Sequence, residues 1–140
     1  MFKPETKFLI VDDFATMRKI VKKVLNELGY TNVVEADDGR NAFATLQDAL
    51  QKNEPFNCII SDWNMPNMTG IELLRQCKAD PKLSVLPFVL VTAESEQANI
   101  IEAAKAGVSD YVIKPFNANT LKEKLTRVYN KHYPSQTKAA

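Results

Sequence analysis

The sequence predicts an α/β domain in which a parallel β-sheet is covered by helices on both faces. Short apolar runs rich in β-branched residues alternate with segments whose apolar residues recur at helical spacing. With 140 residues, of which 45% are hydrophobic and 25% are charged, the chain has the size and composition of one globular domain. Such alternation favours parallel strands joined by right-handed crossovers, which put helices on both faces of the sheet.

Five apolar runs are predicted to be the strands of this sheet. They cover residues 8–11, 32–36, 57–61, 87–92 and 110–113. The first and fourth runs are apolar almost throughout, which is typical of strands that are buried on both faces. These two strands are therefore expected to be covered by helices on both sides.

The segments between the strands have the periodicity of amphipathic helices. The clearest stripe ends just before Gly29 and consists of Met17, Ile20, Val21, Val24, Leu25 and Leu28. Weaker patterns cover residues 42–50, 71–77, 99–106 and 120–129. We expect one domain over residues 1–132 and a flexible, polar C-terminal tail over residues 133–140.

Charge and hydropathy exclude several classes of function. The net charge is +1, which gives no general case for nucleic-acid binding, although residues 114–140 carry +5 and residues 1–113 carry −4. No stretch approaches the roughly 18 apolar residues of a membrane span. The N-terminus also lacks the apolar core of a secretory leader. These features predict a soluble, cytoplasmic protein that binds neither nucleic acid nor membrane.

The cysteines and the histidine exclude further chemistry. Cys58 and Cys77 do not form a C-x-x-C pair, so we expect reduced thiols and no sulfur-ligated metal. The one histidine, His132, lies beside the predicted tail, which argues against a Ser-His-Asp or Cys-His catalytic arrangement.

Polar residues that can carry chemistry follow four of the predicted strands. Asp12 and Asp13 follow the first strand, Asp62 follows the third, Thr92 ends the fourth and Lys114 follows the fifth. Ligands of open parallel sheets bind beyond the carboxyl ends of the strands. We therefore expect three carboxylates, a hydroxyl and an ammonium group to meet in one crevice.

Three neighbouring carboxylates repel one another unless a cation screens them. Mg²⁺ prefers oxygen ligands and keeps open positions for a phosphoryl oxygen. A carboxylate can attack phosphorus when a metal and fixed cations neutralise the phosphoryl oxygens. Asp62 with Mg²⁺, Thr92 and Lys114 would supply this set.

Simpler interpretations of these residues stay open from the sequence. Asp13 or Asp62 could be no more than a helix N-cap, and Thr92 could belong to the start of a helix. Lys114 could be an ordinary exposed loop lysine. Nucleotide binding is disfavoured, because the loop after the first strand is acidic rather than rich in glycine, serine or threonine.

Four stretches of the sequence resemble the receiver domain of bacterial response regulators, a resemblance that covers residues 7–129. They are FLIVDDF at residues 8–14, SDWNMPNM at 61–68, VTAE at 91–94 and KPF at 114–116. The resemblance implies a flavodoxin-like (βα)5 three-layer sandwich with strand order 2-1-3-4-5. It also implies a signalling protein that catalyses only its own phosphorylation and dephosphorylation, and that turns over no metabolite.

The resemblance also assigns roles to individual residues. Asp62 is the implied phospho-acceptor, and Asp12, Asp13, Asp62 and the backbone carbonyl of Asn64 are the implied Mg²⁺ ligands. Asn64 and Glu94 also match positions that tune hydrolysis of the phosphoryl group.

The switch is implied by a second group of residues. Thr92 matches the hydroxyl that moves to the phosphoryl group, Lys114 pairs with that group, and the Lys114–Pro115 bond is expected to be cis. Tyr111 matches an aromatic residue whose ring moves inward when Thr92 shifts. These movements would change the surface of the fourth helix, fifth strand and fifth helix.

Partners follow from the resemblance as well. A histidine kinase is the expected phosphodonor, the flagellar motor switch is the expected target, a dedicated phosphatase is a further candidate, and the protein is expected to be a monomer. The switch and partner surface is assigned to Trp63, Glu94, Tyr111, Lys124 and Arg127. Where relatives commonly carry two lysines, this chain has Glu96 and Gln97, which would weaken its grip on an acidic target.

Two other functions stay open from the sequence. One is a receiver that drains or relays phosphoryl groups without acting on a motor, which the loss of the two lysines favours. The other is a magnesium-dependent phosphatase with an aspartyl nucleophile. Such enzymes usually need a general acid two residues after the nucleophile, and Asn64 cannot donate a proton in that way.

Overall fold

The computed structural model describes residues 1–93 and 97–134. Within this part of the chain, five strands alternate with five helices. The strands are β1 Phe8–Val11, β2 Val33–Ala36, β3 Cys58–Asp62, β4 Phe88–Thr92 and β5 Asp110–Ile113. The helices are α1 Ala15–Glu27, α2 Gly39–Gln51, α3 Gly70–Ala79, α4 Gln97–Ala106 and α5 Ala118–His132. The predicted strands agree with the observed ones to within one residue at each end.

The strands form one parallel sheet in the order β2-β1-β3-β4-β5. This confirms the flavodoxin-like order implied by the sequence resemblance. The three central strands, β1, β3 and β4, are buried at every residue. The sequence predicted this for β1 and β4, and the structure adds β3 to them.

Two apolar clusters cover the two faces of the sheet. One contains Leu9, Ile59 and Leu90 and packs under α2, α3 and α4, while the other contains Ile10, Ile60 and Val91 and packs under α1 and α5. Neighbouring residues of each strand point to opposite faces, so each apolar strand supplies both clusters. The result is a sandwich of three layers.

Each helix begins one to three residues before the start that its apolar pattern predicts. The N-caps Asp38, Thr69 and Asn117 accept hydrogen bonds from backbone N–H groups in the first turns of α2, α3 and α5. Capping residues and polar first turns carry no apolar periodicity, so the stripe alone places each helix start too late. Gly29 follows α1 with φ +95°, a backbone conformation that favours glycine.

Several smaller expectations can be compared with the described residues. The Lys114–Pro115 peptide bond is cis, as the resemblance implied. Cys58 and Cys77 are free thiols, and both are buried. In the described part of the chain, no helix combines the length and apolar character needed to cross a membrane. Of the predicted tail, residues 135–140 lie outside the described residues.

Candidate functional site

The carboxyl ends of four strands bring the five predicted residues together. Asp12 and Asp13 follow β1, Asp62 and Thr92 end β3 and β4, and Lys114 follows β5. The strand register explains the convergence, because Asp62 pairs with Val91 and Thr92 pairs with Ile113 in adjacent parallel strands. Parallel strands that end in register deliver their next side chains to one edge of the sheet.

Three carboxylates form the centre of this site. One carboxylate oxygen from each of Asp12, Asp13 and Asp62 lies within 4.8 Å of the others. Asp12 and Asp62 are 3% and 6% exposed, so two of the three acidic side chains are largely shielded from water. Buried carboxylates at this spacing repel strongly unless positive charge lies close to them.

Lys114 supplies part of that positive charge. Its Nζ donates a hydrogen bond to Oδ1 of Asp62 at 2.9 Å and lies 3.8 Å from Oδ2 of Asp12. The interaction with Asp62 therefore has the geometry of a charge-assisted hydrogen bond. Lys114 is a partner of the acidic cluster, and the interpretation as an ordinary loop lysine is wrong.

The surroundings of Asp12 affect its protonation. Burial raises the pKa of the Asp12 carboxyl, and the nearby Asp62 and Asp13 raise it further. A hydrogen bond donated by the Phe14 backbone N–H to Oδ1, at 3.0 Å, and the charge of Lys114 oppose this rise. The net effect is a carboxyl group that holds its proton more tightly than an exposed aspartate does.

One oxygen of Asp13 is unusual for a buried polar atom. Oδ1 of Asp13 is buried and has no hydrogen-bond partner among the described residues. A buried carboxylate oxygen without a donor is costly, and a cation that accepts oxygen ligands would satisfy it. The donor set of three carboxylates is likewise suited to a hard cation, so the residues fit the Mg²⁺ that the sequence resemblance implies.

The N-termini of α1 and α3 are capped by residues other than Asp13 and Asp62. The N-cap of α1 is Phe14, which makes no side-chain capping bond, and α3 begins with a capping box between Thr69 and Glu72. Asp13 and Asp62 therefore cap neither helix. Both side chains belong to the acidic cluster.

Arg18 is a residue of this region that the sequence did not single out. From α1, its Nη1 donates a hydrogen bond to the backbone O of Asp12 at 2.7 Å, and its Nε contacts Glu35 of β2 at 3.1 Å. Arg18 thereby connects the end of β1 to α1 and to the edge strand. An arginine between the apolar positions of a predicted helix is expected to face solvent. No signal in the sequence therefore marks this contact.

The segment after β3 contains Trp63 and Asn64. Trp63 is 9% exposed, and its backbone N–H donates to the O of Val91 at 2.9 Å. Asn64 is exposed at the rim of the site. At the end of the segment, Gly70 N–H donates to Trp63 O at 2.9 Å, and a Cβ on Gly70 would lie 2.2 Å from the backbone O of Asp62. Only glycine allows α3 to begin so close to Asp62.

Three of the five predicted switch and partner residues lie on β5 and α5. Tyr111 is partly buried, and Nζ of Lys124 lies 4.9 Å from the centre of its ring. Lys124 and Arg127 also lie 3.5 and 3.9 Å from the carboxylate of Asp110. No pattern in the sequence marks Asp110 as a partner of these two basic residues. Glu94, the fifth predicted residue, lies outside the described residues.

Comparison with known proteins agrees with this geometry. The response regulator receiver domain family matches residues 8–126. The chain is 51% identical to the chemotaxis protein CheY of Pseudomonas aeruginosa over 125 residues, which cover 89% of this chain and 97% of that protein. It is 50% identical to CheY-3 of Vibrio cholerae, again over 89% of this chain and over 92% of that protein.

Solved structures show the same relationship. A structure of CheY4 from Vibrio cholerae superposes with a TM-score of 0.79 at 36% identity, covering 89% of this chain and 98% of that one. A CheY-like receiver from Methanospirillum hungatei superposes with a TM-score of 0.79 at 27% identity, covering 94% and 98%. The chain belongs to the response regulator receiver family. Within this family it is CheY-like, and it is a signalling protein rather than a conventional enzyme.

Proposed function

We propose that this receiver accepts a phosphoryl group on Asp62 from a histidine kinase and passes the signal to the flagellar motor switch. The observation that carries the proposal is the cluster of Asp12, Asp13 and Asp62 with the Lys114 ammonium 2.9 Å from Asp62. This arrangement combines a nucleophilic carboxylate, a cation site and a fixed positive charge.

The carboxylates would hold Mg²⁺ together with the backbone carbonyl of Asn64. Bound there, the ion would neutralise negative charge on the phosphoryl oxygens. The unpartnered Oδ1 of Asp13 supports this assignment, because a buried carboxylate oxygen needs a positively charged or hydrogen-bonding partner.

The transfer itself is carried by Asp62. One carboxylate oxygen of Asp62 forms a bond to phosphorus while the phosphorus–nitrogen bond of the phosphohistidine breaks. The electron pair leaves on the imidazole nitrogen, which takes up a proton from solvent. Lys114 and the hydroxyl of Thr92 would then contact phosphoryl oxygens, and a water molecule would later cleave the Asp62–phosphorus bond to release inorganic phosphate.

The signal would leave through the surface around Tyr111, Lys124 and Arg127. Lys124 lies over the ring of Tyr111, so movement of that ring would disturb the basic side chain on α5. A basic surface suits an acidic partner segment. We place this signalling in the cytoplasm, where free cysteines such as Cys58 and Cys77 stay reduced.

Phosphorylation is tested with a small donor. Purified protein mixed with acetyl phosphate and Mg²⁺ should gain the mass of one phosphoryl group, and chelation of the metal should prevent the gain. Asp62→Asn should abolish it, whereas Asp48→Asn, the same chemical change at an exposed carboxylate of α2, should not. Undiminished labelling of Asp62→Asn would remove Asp62 from its proposed role.

The output is tested by binding. An acidic N-terminal peptide of the flagellar switch protein should bind the phosphorylated chain more tightly than the unphosphorylated one. Lys124→Ala and Arg127→Ala should weaken this binding, and Lys52→Ala, which removes an exposed lysine at the residue after α2, should not. Absence of binding in both states, despite complete phosphorylation, would replace the motor target with a phosphate-draining or relay function.

A further inference from the structure

A hydrogen bond links two loops at the carboxyl edge of the sheet. Nδ2 of Asn67, in the segment between β3 and α3, donates to Oδ2 of Asp38 at 3.1 Å. Asp38 lies in the turn between β2 and α2, 29 residues earlier in the chain. The bond therefore connects the segment after β3 to the turn after β2, and these two strands are not neighbours in the sheet.

The two sides of this link are both fixed in other ways. Asp38 is held because its Oδ1 accepts a hydrogen bond from Asn41 N–H at 2.8 Å, which caps α2. Asn67 has φ +67°, a left-handed backbone conformation in which asparagine is one of the few tolerated side chains. Asp38 is thus anchored to a helix, and Asn67 is presented to it by a strained turn.

The two loops also pack closely against each other beside the hydrogen bond, at Gly39 and Met68. A Cβ on Gly39 would lie 2.7 Å from the backbone O of Met68 and 2.8 Å from its Cβ. The β3–α3 segment consequently lies directly against the first residue of α2. Its far end is fixed by the hydrogen bond from Gly70 N–H to Trp63 O.

We propose that Asp38 and Asn67 are positioning residues for the cation site, an inference that rests on the proposed function. The β3–α3 segment begins directly after Asp62 and contains Asn64, whose carbonyl is the proposed fourth ligand. The Asp38–Asn67 bond restricts the segment before the ion arrives, so less conformational entropy is lost on binding. The bond thereby raises the affinity of the site for Mg²⁺ although neither side chain contacts the ion.

Two single variants break the bond without removing other known contacts. Asp38→Ser keeps an oxygen to cap α2 but has no second oxygen to accept from Nδ2 of Asn67. Asn67→Gly keeps the left-handed backbone but removes the donor. Each should weaken Mg²⁺ binding about tenfold, the lower end of the range for residues that act behind metal ligands, measured by calorimetric titration.

An exchange of the two side chains tests the hydrogen bond directly. The double variant Asp38→Asn with Asn67→Asp restores an N–H···O bond between the loops, keeps the cap and keeps the net charge. It should recover most of the lost affinity. Asp37→Asn is the matched control for loss of one nearby negative charge, and its effect should be smaller than that of Asp38→Ser.

The outcomes separate this inference from the proposed function. Unchanged Mg²⁺ affinity in Asp38→Ser and Asn67→Gly, with normal binding by the parent chain, would overturn the positioning role alone. Failure of the exchanged pair to recover affinity would also count against it. A parent chain that binds no Mg²⁺ would overturn both. Urea unfolding of each variant without metal shows whether a loss of affinity reflects a loss of stability.

Discussion

At the scale of single residues, Asp12 places a carboxyl group in a buried position beside two other carboxylates. Burial and the neighbouring Asp62 and Asp13 raise its pKa above the ordinary value of 3.8. The folded chain therefore binds this proton more tightly than the unfolded chain does. The resulting contribution to stability is fully present below pH 3.8 and is lost as the pH rises through the higher pKa of the folded state.

Replacing Asp12 should accordingly stabilise the protein when no divalent cation is present. Asp12→Asn removes a buried negative charge and keeps an oxygen that can accept the Phe14 N–H. We expect a gain of about 1 kcal/mol in the free energy of unfolding at neutral pH, measured by urea denaturation with a chelator. Asp48→Asn, at an exposed site, is the control. A loss of stability in Asp12→Asn would contradict this reasoning.

His132 has the opposite pH dependence. Burial and the positive charges of Lys78 and Lys131 lower its pKa below 6.5, and its Nε2 lies 2.8 Å from Oγ of Ser109. The neutral form is therefore favoured in the folded state. Its contribution to stability is present above pH 6.5 and is lost as the pH falls through the lower pKa of the folded state.

A comparison with His132→Gln tests this dependence. The parent chain should lose stability as the pH falls from above 6.5 through the lowered pKa of His132. The variant should lose less over the same range. The measurement is urea unfolding followed by circular dichroism at a series of pH values. Parallel pH profiles for the two proteins would show that other groups cause the loss.

At the scale of elements, the helices begin at specific capping residues. Oδ1 of Asn117 accepts from Thr120 N–H at 2.9 Å at the start of α5, which carries part of the proposed partner surface. Asn117→Ala should lower the free energy of unfolding by about 1 kcal/mol. Asn119→Ala, an exposed change in the first turn of the same helix, should have a much smaller effect. Equal effects of the two changes in urea denaturation would show that the cap contributes little.

At the scale of the whole molecule, folding assembles the site from residues that are far apart in the chain. Cation binding should therefore stabilise the fold, because the unfolded chain does not bring Asp12, Asp13 and Asp62 together. At roughly a hundredfold excess of Mg²⁺ over its dissociation constant, the expected gain is about 2.7 kcal/mol.

The control for this linkage is ionic strength. The midpoint of thermal unfolding should rise with MgCl₂ but not with KCl at the same ionic strength. Both salts screen surface charges equally, so a difference between them reports binding of Mg²⁺ at the site. Asp13→Asn should lose most of the shift, since it removes one of the three carboxylates. An identical response to both salts would argue against a specific cation site.

The sequence by itself determined the order of the elements and the residues at the strand ends. Apolar runs and helical stripes are local patterns, so the five strands could be predicted to within one residue, and Asp12, Asp62, Thr92 and Lys114 could be identified as strand-end residues. Helix starts were predicted less well, because capping residues carry no periodic signal. The order of the strands followed from the family resemblance rather than from the periodicity itself.

Only the tertiary structure decided how these residues interact. The contacts of Arg18 with Asp12, of Asp110 with Lys124, and of Asn67 with Asp38 were not expected from the sequence. Each contact joins two different segments of the chain, so no local pattern marks either partner. The same holds for the unpartnered oxygen of Asp13, because burial and the absence of a donor in the described structure are properties of packing. Residue types at strand ends indicate which chemistry is available, and packing decides the distances and partners through which it acts.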